Sequence, residues 1–182
     1  PEECIGLDLP DLVPLAQVMI HQVLFLNAPK HTRIRGLASR AFTPRHVEIL
    51  RSHIEDITNQ LLDAVQDQGS MDVRADLAYP LPAIVTAEML GVPTSDWRML
   101  TKWSSDYAQV LGNFQHNSER ILQTVRSLNE MLVYFRDALE DHKKNPRNGL
   151  ISAFLGAEMD GDRLTDDEIV ANTIITMVGG QE

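Results

Sequence analysis

Apolar residues recur at steps of three and four over most of the 182-residue chain, the repeat of helices that bury one face. Ile121, Val125, Leu128, Leu132, Phe135 and Leu139 predict a long helix from Ser118 to Lys144, stopped by Asn145-Pro146. The same step links Val47, Leu50, Ile54, Ile57, Leu61 and Val65 as a buried stripe on a helix from Arg45 to Gln68. Thr43-Pro44 reads as the N-cap and first position of that helix, and Gly69 ends it. Shorter helices are predicted over Lys30 to Ala41, Pro82 to Leu90, Ser95 to Leu111 and Leu150 to Leu155. Ser70 to Arg74 reads as a brief strand and Asp160-Gly161 as the turn of a small hairpin. Residues 1–29, broken by Pro10, Pro14 and Pro29, carry one short helix near Leu15 to Val23.

The last helix differs from the others. Thr165-Asp-Asp-Glu168 is a capping box whose acids complement the helix dipole. The body that follows, Ile169 to Val178, is apolar nearly all round, interrupted by Asn172, Thr173 and Thr176, so it belongs inside a core. The fold class is mainly α with minor β, in one domain.

Composition narrows the partners. Sixteen basic against 26 acidic residues give a net charge of −10, which argues against a general nucleic-acid binder. Between Lys30 and Arg51, however, Lys30, Arg33, Arg35, Arg40, Arg45 and Arg51 face only Glu48, a patch suited to an anionic ligand or an acidic protein. The lone Cys4 excludes an internal disulfide and fits a reducing, cytoplasmic setting. Leu12 to Leu26 is too short and too interrupted to span a membrane. The six histidines form no zinc motif. The start at Pro1 and the end within a helix read as those of a partial chain.

Two motifs carry candidate chemistry. His31 and Arg35 stand four apart on one face of a helix, able to hydrogen-bond one anionic group together, although such a pair is commonly a solvated face. Gly179-Gly180 costs a helix interior about 1 kcal/mol per glycine and in isolation would read as a C-cap. The run His31-Thr32-Arg33-Ile34-Arg35 followed by Phe42-Thr43-Pro44 resembles the C-helix of the cytochrome P450 family, the haem-thiolate monooxygenases. Gly179-Gly180-Gln181-Glu182 is similar to the start of the oxygen-activation motif in that family's I-helix.

The resemblance covers essentially the whole chain and implies the central part of the cytochrome P450 fold, helices C to I. It assigns residues 1–29 to the B-C loop region, 30–68 to helices C and D, 75–144 to E, F and G, and 149–182 to H, the hairpin and I. It implies haem as cofactor, with His31 and Arg35 on its propionates. Gly179 and Gly180 would lie beside oxygen, and Glu182 would serve as the acid that delivers protons. It further implies a small apolar organic substrate, for which Leu24, Leu26, Met177 and Val178 supply apolar surface. A ferredoxin or other redox partner would dock on the basic C-helix face. No metal ligand is assigned, because the family's axial cysteine lies in a downstream loop with no counterpart in these residues, and the chain alone is expected to be inactive. The alternative is a haem-free helical fragment or assembly protein with no catalytic activity, which associates with itself or another chain through an otherwise exposed apolar final helix.

Overall fold

The computed structural model describes residues 12–41, 44–112 and 118–181. Thr43, Glu182 and Cys4 lie outside them, as does the side chain of Arg45. The order is α1 (Val13–Met19), a 3₁₀ turn (Val23–Phe25), α2 (Lys30–Ala41), α3 (Pro44–Gln66), a π-helical turn (Val73–Ala78) and α4 (Pro80–Leu90). A second 3₁₀ turn (Thr94–Asp96) leads into α5 (Trp97–Gly112), then α6 (Ser118–Lys144) and α7 (Leu150–Gly156). The chain continues through β1 (Glu158–Met159) and β2 (Asp162–Arg163) to α8 (Asp166–Gly179).

Helix α8 is the axis of the core. It packs against α1, α4, α5, α6 and α7, and closes Ile169, Val170, Ala171, Asn172, Thr173, Ile174, Met177 and Val178 away from solvent. Each fully buried aliphatic side chain there contributes roughly 1.5–3 kcal/mol. The expectation of an exposed apolar final helix is therefore corrected: five neighbouring elements cover most of it, leaving Ile175 and Thr176 partly buried. Met177 and Val178 likewise belong to this core rather than to an open apolar lining, whereas Leu24 is exposed.

The long helix α6 holds the predicted bounds, and its buried line runs Val125, Leu128, Met131, Phe135, Leu139 and then His142. Three-and-four spacing carries that line straight onto a histidine. Helix α3 is less covered than its sequence pattern predicts: Ile57 is buried, Leu50, Leu61 and Val65 are partly buried, and Ile54 is exposed. Its packing is against α4 and the π turn. The strand expected at Ser70 to Arg74 is absent among the described residues. Asp72 accepts hydrogen bonds from the amides of Arg74 and Ala75 and starts the π turn instead.

The β1–β2 hairpin pairs Glu158 with Arg163 and Met159 with Asp162, and both turn residues have positive φ, 54° at Asp160 and 82° at Gly161. The capping box forms as expected, with the Thr165 amide donating to Glu168 Oε2 at 2.9 Å and the Glu168 amide to Thr165 Oγ1 at 3.3 Å.

Where α4 ends and α7 begins, two glycines interlock. Gly91 terminates α4 at φ 87°, and Gly149 precedes α7 at φ 140°. A Cβ on Gly149 would lie 2.6 Å from the Gly91 Cα and 2.9 Å from the Leu90 carbonyl. His142, from α6, seals the junction. A carbonyl only accepts, so its Nε2–H donates to the Gly91 carbonyl at 2.9 Å, leaving Nδ1 to accept from the Ser152 hydroxyl at 2.7 Å. Burial holds the His142 pKa below its ordinary value; the bond to Gly91 opposes that shift and Arg147 reinforces it. Because the folded pKa is depressed, this contribution to stability is complete above about pH 6.5 and is lost as pH falls through the folded value. Urea titrations of wild type and His142→Gln between pH 7.5 and 5 are expected to converge as pH falls; a gap that widens contradicts this assignment.

Candidate cofactor site

Helix α2 has two working faces. Ile34, Leu37 and Ala41 are its buried line, placed against α7 and the hairpin. His31, partly buried, and Arg35, exposed, form a second line four residues apart. Neither side chain makes a hydrogen bond or ion pair with any described residue.

Arg33 behaves differently. It donates to Asp162 at 2.5 and 3.0 Å, to Glu168 Oε1 at 2.7 Å and to the Arg163 carbonyl at 2.7 Å. Its pKa is raised, first by the Asp162 bond and then by Glu168, and Asp162 is in turn held below the usual carboxylate range, principally by its hydrogen bond from Arg33. Arg51 pairs with Glu48, and Arg40 donates to the Glu158 carbonyl at 2.7 Å. The basic patch read from sequence is thus smaller in three dimensions. Lys30, Arg35 and Arg40 are its exposed members without an ion pair among the described residues.

At the other motif the two glycines separate in role. Gly180 stays in the right-handed region at φ −85°, and its amide reaches the Thr176 carbonyl at 3.0 Å. A Cβ there would meet Thr86 Oγ1 at 2.5 Å, and the Thr86 hydroxyl donates to the Gly180 carbonyl at 3.0 Å. Close packing of α8 on α4 therefore accounts for Gly180. A Cβ on Gly179 would meet nothing within 4 Å. Glu182 lies outside the described residues.

Among the described residues the two motifs are tied through the length of α8. Arg33 grips Glu168 in the first turn, and Gly179 ends the same helix about 16 Å further along its axis. Between them the segment after α1 is clasped to α8. Asn172 Oδ1 accepts from the Val23 amide at 2.9 Å, and its Nδ2 donates to the carbonyls of His21 at 2.9 Å and Glu168 at 2.7 Å. Gln22 Nε2 donates to the Ala171 carbonyl at 3.2 Å, and the Tyr107 hydroxyl donates to Gln22 Oε1 at 2.8 Å. Tyr107 is fully buried and its pKa is pushed up to about 12, chiefly by that burial.

Sequence reasoning missed this clasp and the Arg33 grip. The available signals were an asparagine interrupting an otherwise apolar helix, and an arginine on the opposite side of α2 from His31 and Arg35. A groove of about 620 Å³ beside α6, lined by Gln109, Leu122, Gln123 and Arg126 among others, contains none of the candidate residues. Among the described residues no group of His, Cys, Asp and Glu is placed to hold a metal ion.

Chemically, His31 and Arg35 carry donors that no described residue engages, a pair able to hydrogen-bond anionic groups. Gly179 offers a side-chain-free stretch of helix, open to a small molecule.

No family model matches the chain. Cytochrome P450 109 of Bacillus spizizenii is 36% identical over 169 residues, 91% of this chain and 41% of that protein. The biotin biosynthesis cytochrome P450 of Bacillus subtilis is 32% identical over 92% of this chain and 42% of its own length. Among solved structures, P450BioI in complex with an acyl carrier protein ligated to hexadec-9Z-enoic acid superposes with a TM-score of 0.86 at 31% identity, covering 94% of this chain and 44% of that one. The chain spans about two fifths of the length of the relatives it matches. On sequence and fold together, it belongs to the cytochrome P450 family, of which it carries the central part of the fold, helices C to I.

Proposed function

We infer that these residues are the B-C loop to mid I-helix portion of a haem-dependent monooxygenase, in which α2 is helix C and α8 is helix I. Haem is the cofactor of the family, and it supplies the oxygen activation that inserts one oxygen atom into an organic substrate. The observation that carries the reading is the contrast along α2. Arg33 gives four of its five N–H donors to protein acceptors, while His31 and Arg35, on the other face, keep their donors for the two propionates. Gly179 keeps the helix thin where a small molecule has to approach its backbone, and Gly180 holds that stretch against α4. Glu182 supplies the acid that moves protons there. The axial thiolate belongs to a part of the family fold other than helices C to I.

The same reading sets the partners. A small apolar substrate meets the α1–α2 segment, where Leu24 is exposed. A ferredoxin or similar redox protein docks by charge on the face carrying Lys30 and Arg40. A cytoplasmic setting accords with the absence, among the described residues, of any helix long and apolar enough to cross a membrane.

The test is haem retention in the full-length holoprotein. A charge-assisted hydrogen bond is worth about 1.5–3 kcal/mol, so Arg35→Gln is expected to weaken haem binding at least about tenfold. His31→Ala lowers it by a smaller factor. Retention of haem at wild-type affinity by the double variant overturns the assignment.

A further inference from the structure

Arg33 stands between His31 and Arg35 in sequence but on the other side of the helix, because two residues turn α2 by about 200°. Its guanidinium meets three acceptor groups on two elements: the Asp162 carboxylate and Arg163 carbonyl of the hairpin, and the Glu168 carboxylate of α8. Glu168 uses its second oxygen to accept from the Thr165 amide. One carboxylate thus joins the basic helix to the cap of the central helix. Elsewhere along α2 the hold is lighter. Arg40 makes one bond to the Glu158 carbonyl, and Gly36 leaves room for Met159, whose sulfur would lie 3.3 Å from a Cβ at that position.

We propose that Arg33 is a positioning residue for the cofactor face: by pinning α2 to the hairpin and to the first turn of α8, it sets the rotation and height at which His31 and Arg35 present their donors. The inference rests on the cofactor reading above. The lever is geometric. A helix with side chains is about 10–12 Å across, so a 20° rotation of α2 moves a side-chain tip by about 2 Å. Useful donor–acceptor distances span only about 0.5 Å, so such a rotation disengages the face without unfolding anything. A guanidinium fork is rigid enough to prevent it, whereas an ammonium on a flexible stem holds the position but not the angle.

The experiment compares Arg33→Gln, Arg33→Lys, Arg35→Gln and Arg40→Gln in the full-length holoprotein. It measures haem transfer to excess apomyoglobin at a temperature where every variant is folded, and amide hydrogen exchange across α2 after the haem is removed. Arg33→Gln is expected to speed haem loss about tenfold although it touches no haem, and to accelerate exchange at the start of α2. Arg33→Lys falls between it and wild type, and Arg40→Gln stays within about twofold. Because Arg33 acts through the donor face, Arg33→Gln combined with Arg35→Gln loses haem no faster than about twice the worse single variant. Simple multiplication of the two effects, or haem loss from Arg33→Gln no faster than from Arg40→Gln, overturns the proposal. If Arg35→Gln alone leaves haem loss unchanged, the cofactor reading falls and this inference with it. An effect of Arg35→Gln with none of Arg33→Gln removes only the inference.

Discussion

Replacing Gly149 with alanine is expected to cost about 4 kcal/mol of folding free energy, among the largest single-site effects this fold can show. Two causes add. At φ 140° an L side chain is strained, at about 1–3 kcal/mol. The new methyl would also lie 2.6 Å from the Gly91 Cα and 2.9 Å from its nitrogen, and neither is the end of a flexible side chain. Relief requires α7 to withdraw from the end of α4, which would pull Ser152 and the Gly91 carbonyl away from His142. Gly69→Ala is the control, because Gly69 also has positive φ, 66°, but nothing within 4 Å of a Cβ. It should cost about 1–2 kcal/mol. Urea unfolding of both variants measures the difference, and equal midpoints contradict the interlock.

Asn172→Ala is expected to cost about 3 kcal/mol. The substitution leaves the Val23 amide and the His21 carbonyl without their partner on α8, and an unsatisfied buried polar group costs about 1–3 kcal/mol. Thr176→Val, one turn along, removes only a hydroxyl bonded to the Asn172 carbonyl of its own helix, and should cost under about 0.5 kcal/mol. Equilibrium unfolding gives the two values. Proteolysis between Ile20 and Leu26 should also quicken in Asn172→Ala alone, since the clasp is what holds that segment; unchanged cleavage rules the clasp out as its anchor.

Local patterns were legible wherever one helix or turn decides its own geometry. The bounds of α6 follow from its apolar step and from Asn145-Pro146, the cap of α8 from Thr165 and Glu168, and the hairpin from Asp160-Gly161. The central place of α8 followed from a body apolar on all sides. Other features depend on residues far apart in the chain, and periodicity carries no information about them. Arg33 looked like one more surface charge until Asp162 and Glu168 came beside it, and Gly180 looked equivalent to Gly179 until Thr86 did. Ser70 to Arg74 reads as a strand in the sequence because five residues are too few for alternation to be weighed against Asp72, an aspartate able to start the π turn at Val73–Ala78. For the candidate site, the donor pair on α2 came from spacing and resemblance, and the device that orients it came only from the fold.

The hydrogen bonds that pin α2 and clasp the segment after α1 to α8 wait for the last fifth of the chain. Arg33 precedes Asp162 by 129 positions, and Gln22 precedes Ala171 by 149. At ribosomal elongation rates of about 5–20 residues per second, α2 exists for on the order of ten seconds before α7, the hairpin and α8, onto which it docks, have been made. Helix α2 has only Ile34, Leu37 and Ala41 to bury, a short apolar line for a lone helix to persist on. Native structure therefore closes late, when α8 slides in and secures both earlier segments at once. Any lesion that delays α8 leaves the amino-terminal elements unsecured and open to proteases and chaperones.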